Sequence, residues 1–115
     1  MEDFPDFMRR SANRIPTEEQ NTPDIDGYVY TAADGSQMAF WTCRADRTSA
    51  VHVHPFDEYM TVVAGRYTVL LDGVEHVLGP GDELFIPAGT PQGGSCTAGT
   101  RTIHAFGGRR VRDTG

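Results

Sequence analysis

Lysine is absent: all ten basic residues are arginines, set against sixteen acids, for a net charge of −6. Without a lysine there is no Schiff-base nucleophile, which excludes lysine-linked pyridoxal and aldolase chemistry. The negative balance argues against nucleic acid as a partner. Cysteine is scarce. Cys43 and Cys96 are the only two, too few for a disulfide framework and without metal-type spacing to one another. A reduced, cytoplasmic compartment is the default expectation. No apolar run approaches the roughly 18 residues of a membrane span. The N-terminal stretch Met1–Phe7 is acidic, with neither a positive n-region nor an apolar h-region, so no export signal is expected.

What is present suits short strands joined by turns. The 115 residues make one domain with one modest core, and 13 glycines and 7 prolines punctuate it densely. Residues 1–24 are polar and hold Pro5, Pro16 and Pro23, with Phe4, Phe7 and Met8 as apolar points. They read as an extended N-terminal arm that packs on its own barrel or on a partner subunit. Strands are expected at Tyr28–Tyr30, Gln37–Arg44, Ala50–His54, Glu58–Val63, Tyr67–Leu71, Val74–Leu78, Glu83–Pro87, Gln92–Cys96 and Arg101–Phe106. Ala45–Ser49 reads as a polar loop, and Asp72-Gly73 is a type I′ turn signal. This spacing indicates an all-β antiparallel barrel or sandwich over residues 25–108. Residues 109–115 form a basic C-terminal tail, expected to be solvated, with phosphate binding as the minority reading.

The chemistry gathers at His52-Val53-His54-Pro55-Phe56-Asp57-Glu58. Histidines two apart on extended chain face the same way. A bend at Pro55 lets Glu58 return to the same point. Two imidazoles and a carboxylate suit one divalent transition metal (Mn, Fe, Ni, Cu or Zn) rather than Ca or Mg, which prefer oxygen ligands. By alternation Glu58, Met60 and Val62 share a face, so Met60 and Val62 would line the apolar floor of a pocket. Phe40 is a candidate aromatic wall. Thr102, His104 and Phe106 share a face of the last strand. His104 is thus a candidate acid/base or an additional nitrogen ligand. His76 is expected to be exposed. Cys43 is expected in the core, and Cys96 either lines the cavity or fills core.

His52, His54, Glu58 and Gly65 spell H-x-H-x3-E-x6-G. Gly81, Pro87, Gly89 and Gln92 spell G-x5-P-x-G-x2-Q. Together they resemble the two motifs of the cupin superfamily, over about residues 46–107. The resemblance implies a double-stranded β-helix, or jelly-roll barrel, with metal ligands at His52, His54 and Glu58. Asp46 stands where the first motif opens with glycine. Gln92 stands where the second carries its histidine ligand, and Cys96 where that motif closes with asparagine. Gln92 could ligate through its amide oxygen or hydrogen-bond a bound water or substrate. The family runs isomerisations, lyase reactions, decarboxylations and dioxygenations. A shell with Gln92 in place of a third histidine leans toward Lewis-acid chemistry on a small organic substrate: a lyase, isomerase or cyclase. Dioxygenation ranks second, and a non-catalytic small-molecule-binding barrel is the alternative. A homodimer is expected, because an open small barrel has sheet edges that need cover.

Overall fold

Period-two alternation of apolar residues builds the strands. The structure, a computed structural model, describes residues 2–19 and 24–111. Expectations that fall on Met1, on Pro23 and on the end of the basic tail lie outside the described residues. Before the barrel the chain makes three single-turn 3-10 helices, Asp6–Met8, Ser11–Asn13 and Thr17–Glu19. Among the described residues nine strands follow: β1 (Ile25–Thr31), β2 (Gln37–Cys43), β3 (Arg47–Thr48), β4 (Glu58–Ala64), β5 (Tyr67–Leu71), β6 (Val74–Leu78), β7 (Glu83–Ile86), β8 (Gln92–Cys96) and β9 (Arg101–Phe106). They form two facing antiparallel sheets, ordered β1-β2-β9-β4-β7 and β3-β8-β5-β6. The protein is all-β with jelly-roll architecture, as the cupin resemblance implied.

Two strand expectations need correction. The polar loop at Ala45–Ser49 contains β3, which pairs Arg47 with Cys96 and Thr48 with Ser95. The segment Ala50–His54 is extended but is not a strand, since its only ladder contact is a single bridge from His52 to Gln92. At the Asp72-Gly73 hairpin φ is 49° and 82°, the pair of positive values a type I′ turn demands. Gly65 has φ 80°, and a Cβ there would meet the Thr100 Cα at 2.6 Å. That motif glycine therefore serves a tight turn and a close backbone approach.

The inner faces of the two sheets form the core. Met60, Val62, Val69, Leu78 and Ile86 make one buried cluster. Ile15, Val29, Ala39, Phe106 and Val111 make another. The second cluster uses residues from both chain ends. Val111 is held by the buried Gln37 side chain, whose Nε2 donates to the Val111 carbonyl at 2.7 Å while Oε1 accepts from the Val111 N–H at 2.9 Å. Residues 109–111 thus return to the barrel rather than leaving it as a solvated tail. Phe4 packs against Tyr28 and Phe40 on the outer face of the larger sheet. Phe7 stays 69% exposed.

Phe40 is the clearest misassignment. Ala39 and Cys43 alternate with it and Trp41 faces the cavity, so Phe40 points outward, under Phe4. The two cysteines are joined as a disulfide, Cys43–Cys96, with Cα atoms 6.7 Å apart. The expectation of reduced thiols is overturned because β2 and β8, in different sheets, turn these side chains toward one another across the barrel.

Candidate active site

Backbone hydrogen bonds fix the two histidines before side chains enter. The His52 N–H donates to the Gln92 carbonyl at 2.7 Å, and the Gln92 N–H returns to the His52 carbonyl at 2.9 Å. The Gly89 N–H donates to the His54 carbonyl at 2.9 Å, from a turn where Gly89 has φ 77°. The Ala88 N–H donates to Asp57 Oδ1 at 2.9 Å. Both sequence motifs therefore meet along one seam: the Pro87–Gly89 turn and the start of β8 hold the His52–Glu58 segment over the barrel mouth.

His52, His54, Glu58, Gln92 and His104 all line one cavity of about 80 Å3. His52 and His54 have ring centroids 4.8 Å apart. His52 Nδ1 lies 3.0 Å from the Ala50 carbonyl, which can only accept, so Nδ1 is the donor there and, in the neutral ring, Nε2 holds the lone pair. Glu58 is buried. Its Oε2 accepts from His104 Nδ1 at 2.7 Å, its Oε1 accepts from Gln92 Nε2 at 3.2 Å, and His54 Nε2 stands 3.9 Å from Oε1. His104 Nε2 is 2.9 Å from Thr102 Oγ1. The Trp41 ring meets His104 edge-on at 4.8 Å.

The electrostatics follow from this packing. Burial alone would raise the Glu58 pKa. The His104 hydrogen bond and charge, then Gln92 and His54, outweigh it and hold the carboxyl below its ordinary value. Burial lowers the His54 pKa; Glu58 opposes this, while His52, Arg110 and His104 push the same way. Burial drives the Tyr67 phenol up to about 12.

The donor set has the chemistry of a divalent transition-metal site: two imidazoles, a carboxylate and an amide on one cavity. Their present placement is not that of a closed shell. Among the described residues no three His, Cys, Asp or Glu side chains form a group that could hold an ion. Both Glu58 oxygens are occupied by Gln92 and His104, and both His104 nitrogens by Glu58 and Thr102. Ligation through Glu58 requires exchanging one of these bonds. Ligation by His104 likewise requires exchanging one bond, since an imidazole ligates through a single nitrogen, so both its readings, proton carrier and additional ligand, fit the geometry.

Met60 lines the cavity; Val62 shares its inner face but packs deeper, among Val69, Leu78 and Ile86. Cys96 lines the cavity as half of the disulfide, and His76 is half-buried on β6. Sequence reasoning chose Phe40 where Trp41 is the cavity wall, and missed Arg110 altogether. The parity of β2 carried the first signal, since inward Cys43 implies inward Trp41. Nothing local announces Arg110, whose place depends on Gln37 seizing Val111.

An antiparallel two-sheet barrel with imidazoles and a carboxylate gathered in its interior defines a small barrel of the double-stranded β-helix class. The sequence matches the Cupin domain profile over residues 39–107, more than half of the chain, and the chain belongs to the cupin family. No match was found among curated proteins. Several solved structures share the fold. An RmlC-like cupin from Shewanella frigidimarina aligns with TM-score 0.72 and 21% identity over 90% of this chain and 86% of that one. The polyketide cyclase RemF from Streptomyces resistomycificus aligns with TM-score 0.69 and 20% identity, over 85% of this chain and 75% of that one. Salicylate 1,2-dioxygenase from Pseudoaminobacter salicylatoxidans aligns with TM-score 0.68 and 16% identity, over 73% of this chain and 25% of that one. At such identities the likeness is one of fold, and fold does not choose a reaction.

Proposed function

We propose that the chain is a cupin enzyme acting on a small organic substrate by Lewis-acid chemistry of the lyase, isomerase or cyclase type, with a divalent transition metal held by His52, His54, Glu58 and Gln92. The observation that carries this reading is the buried 2.7 Å hydrogen bond between Glu58 and His104, inside the cavity that His52 and His54 also line. A metal there would supply polarisation of a substrate carbonyl or carboxylate. The chain's own residues supply the proton transfer. An ionised Glu58 can only accept, so His104 donates from Nδ1, which leaves Nε2 to take or deliver a proton at the Thr102 hydroxyl. Glu58 then steadies the imidazolium. Met60, Val69 and Phe106 keep the cavity dry enough for these charges to matter.

Elemental analysis of untagged protein tests the metal, beside a His52→Ala, His54→Ala double variant. Near-stoichiometric metal that vanishes in the variant supports the reading. Iron would favour the dioxygenase alternative, and zinc, manganese or nickel the Lewis-acid one. No metal in either protein, even after reconstitution, would leave a metal-free binding barrel. One observation favours that second reading: the Glu58–Gln92–His104 network already satisfies its members without an ion.

The homodimer is proposed on the outer face of the larger sheet. Tyr30, Met38, Ala105, Tyr59 and Phe85 are successive cross-strand partners on β1, β2, β9, β4 and β7. Their four large side chains are 39–56% exposed, an apolar row that a second copy would cover. Light scattering showing a clean monomer would remove the idea. No described helix is long and apolar enough to cross a membrane. Cytoplasmic placement is part of the proposal. It must accommodate the disulfide, because such bonds persist mainly in oxidising compartments. Thiol trapping at lysis decides: labelled Cys43 and Cys96 would support the cytoplasm, and blocked ones would overturn it.

A further inference from the structure

The geometry points to Arg110 as the anchor for a substrate carboxylate, and so to a short-chain organic acid as the substrate class of the barrel cavity. This rests on the proposed function only in using the same cavity; it names what that cavity recognises.

Three placements make Arg110 a built element. It follows the Gly107-Gly108 turn, where a Cβ at Gly108 would meet Phe56 at 2.6 Å. Its neighbour Val111 is clamped by Gln37 at 2.7 and 2.9 Å. Its guanidinium lies 5.2 Å from the centroid of the Trp41 ring, and Nη1 donates to the Glu19 carbonyl at 2.9 Å. The side chain thus reaches the cavity wall in a fixed orientation, with rotamer entropy already lost.

A guanidinium keeps its charge even when burial disfavours it. Burial does disfavour the charge here; Glu58, Glu19 and Tyr67 oppose that effect. Yet among the described residues no carboxylate is hydrogen-bonded to Arg110, and Glu58 is engaged by Gln92 and His104. The cavity wall therefore presents a cation whose planar fork matches a carboxylate. The cavity is small, about 80 Å3. That suits an acid of a few carbons, its body against Trp41 and Phe106. A phosphate dianion would want more donors than this one guanidinium offers.

Trp41 is the only tryptophan, so its indole N–H resonance reports on the anchor directly. The full chain is titrated with acetate, propionate and pyruvate, with acetamide, propionamide and pyruvamide, and with inorganic phosphate. At least one carboxylate should shift the indole signal saturably, at least tenfold more tightly than its amide. Arg110→Gln should weaken that carboxylate at least tenfold while metal content matches the wild type. R110K keeps the charge but loses the fork and the stacking, and should weaken it severalfold. Equal affinity for acids and amides, no saturable carboxylate, phosphate binding tighter than every acid, or unchanged affinity in R110K or in folded R110Q would each overturn the proposal. Metal absent from the wild type while the acid preference persists would sink the metal reading alone.

Discussion

Two faces of one sheet, made by alternate residues of the same strands, behave oppositely. On β4 the inward residues are Glu58, Met60 and Val62, all buried; the outward ones include Tyr59 and Val63, both exposed. On β2 Trp41 and Cys43 face the cavity while Met38 and Phe40 face away. The inner face is mostly apolar core with Glu58 and His104 buried in it, and the outer face carries the row Tyr30, Met38, Tyr59 and Phe85 that water still reaches. A generic half-buried sheet would bury no charge inside and would show polar side chains outside. Polarity inside marks a site in which every charge needs a partner. Apolarity outside marks a surface waiting for cover.

Breaking the inner face should produce the largest effect. Glu58→Ala removes the acceptor of both Gln92 and His104 and leaves their donors buried, at a cost of about 3–5 kcal/mol. Urea unfolding of the two proteins measures it, and a midpoint shift no larger than that of a surface variant would show the network to be hydrated. The disulfide comes next. It ties the inner face of β2 to β8 across a sequence separation of 53. Chain entropy over such a loop gives about 4 kcal/mol as an upper expectation, with about 2–4 typical. Cys43→Ser/Cys96→Ser should lower the thermal midpoint by about 10 °C or more. Unchanged melting under strong reductant would show that the bond adds nothing.

The same inside–outside logic explains what sequence alone could reach. Periodicity placed β5, β6, β8 and β9 at their observed bounds and turned Glu58, Met60 and His104 inward, because each rests on local alternation and turn chemistry. Phe40 was misassigned because aromaticity was weighed above the parity of its own strand. The disulfide and Arg110 were out of reach for a different reason. Each depends on contacts between distant segments, Cys43 with Cys96 and Gln37 with Val111, that no window of neighbouring residues encodes. The His52–His54 segment took its expected direction without being a strand, since one bridge to Gln92 is enough to hold it.

Acid should dismantle the inner face in two stages. His54 has its pKa below the ordinary 6.5, so the unfolded chain takes up its proton first. Stability is full above that value and falls as pH drops through the folded one. Glu58 is likewise held below its ordinary 4.5, so its contribution is full above 4.5 and lost as pH falls further. Unfolding midpoints from pH 8 to pH 3 should therefore decline from about 6.5 downward and steepen below about 4.5. Glu58→Gln should abolish the lower stage. A wild-type curve flat between pH 7 and pH 3 would mean that neither group is as enclosed as the structure places it.

The outer face should give the smallest change in folding and thereby sharpen the contrast. Phe85 is 56% exposed and pairs across to Tyr59 at the end of the apolar row. Phe85→Ser deletes little buried area from one subunit, so the monomer's folding free energy should move by no more than about 0.5 kcal/mol. If the row is a dimer surface, the same change should weaken association, because an aromatic anchor at an interface contributes far more than its rim. Light scattering across a dilution series separates the two effects. Unchanged folding with a higher dissociation constant makes the face an interface. A large loss of folding stability would instead assign Phe85 to the barrel core, and the opposition between the two faces would fail at its outer edge.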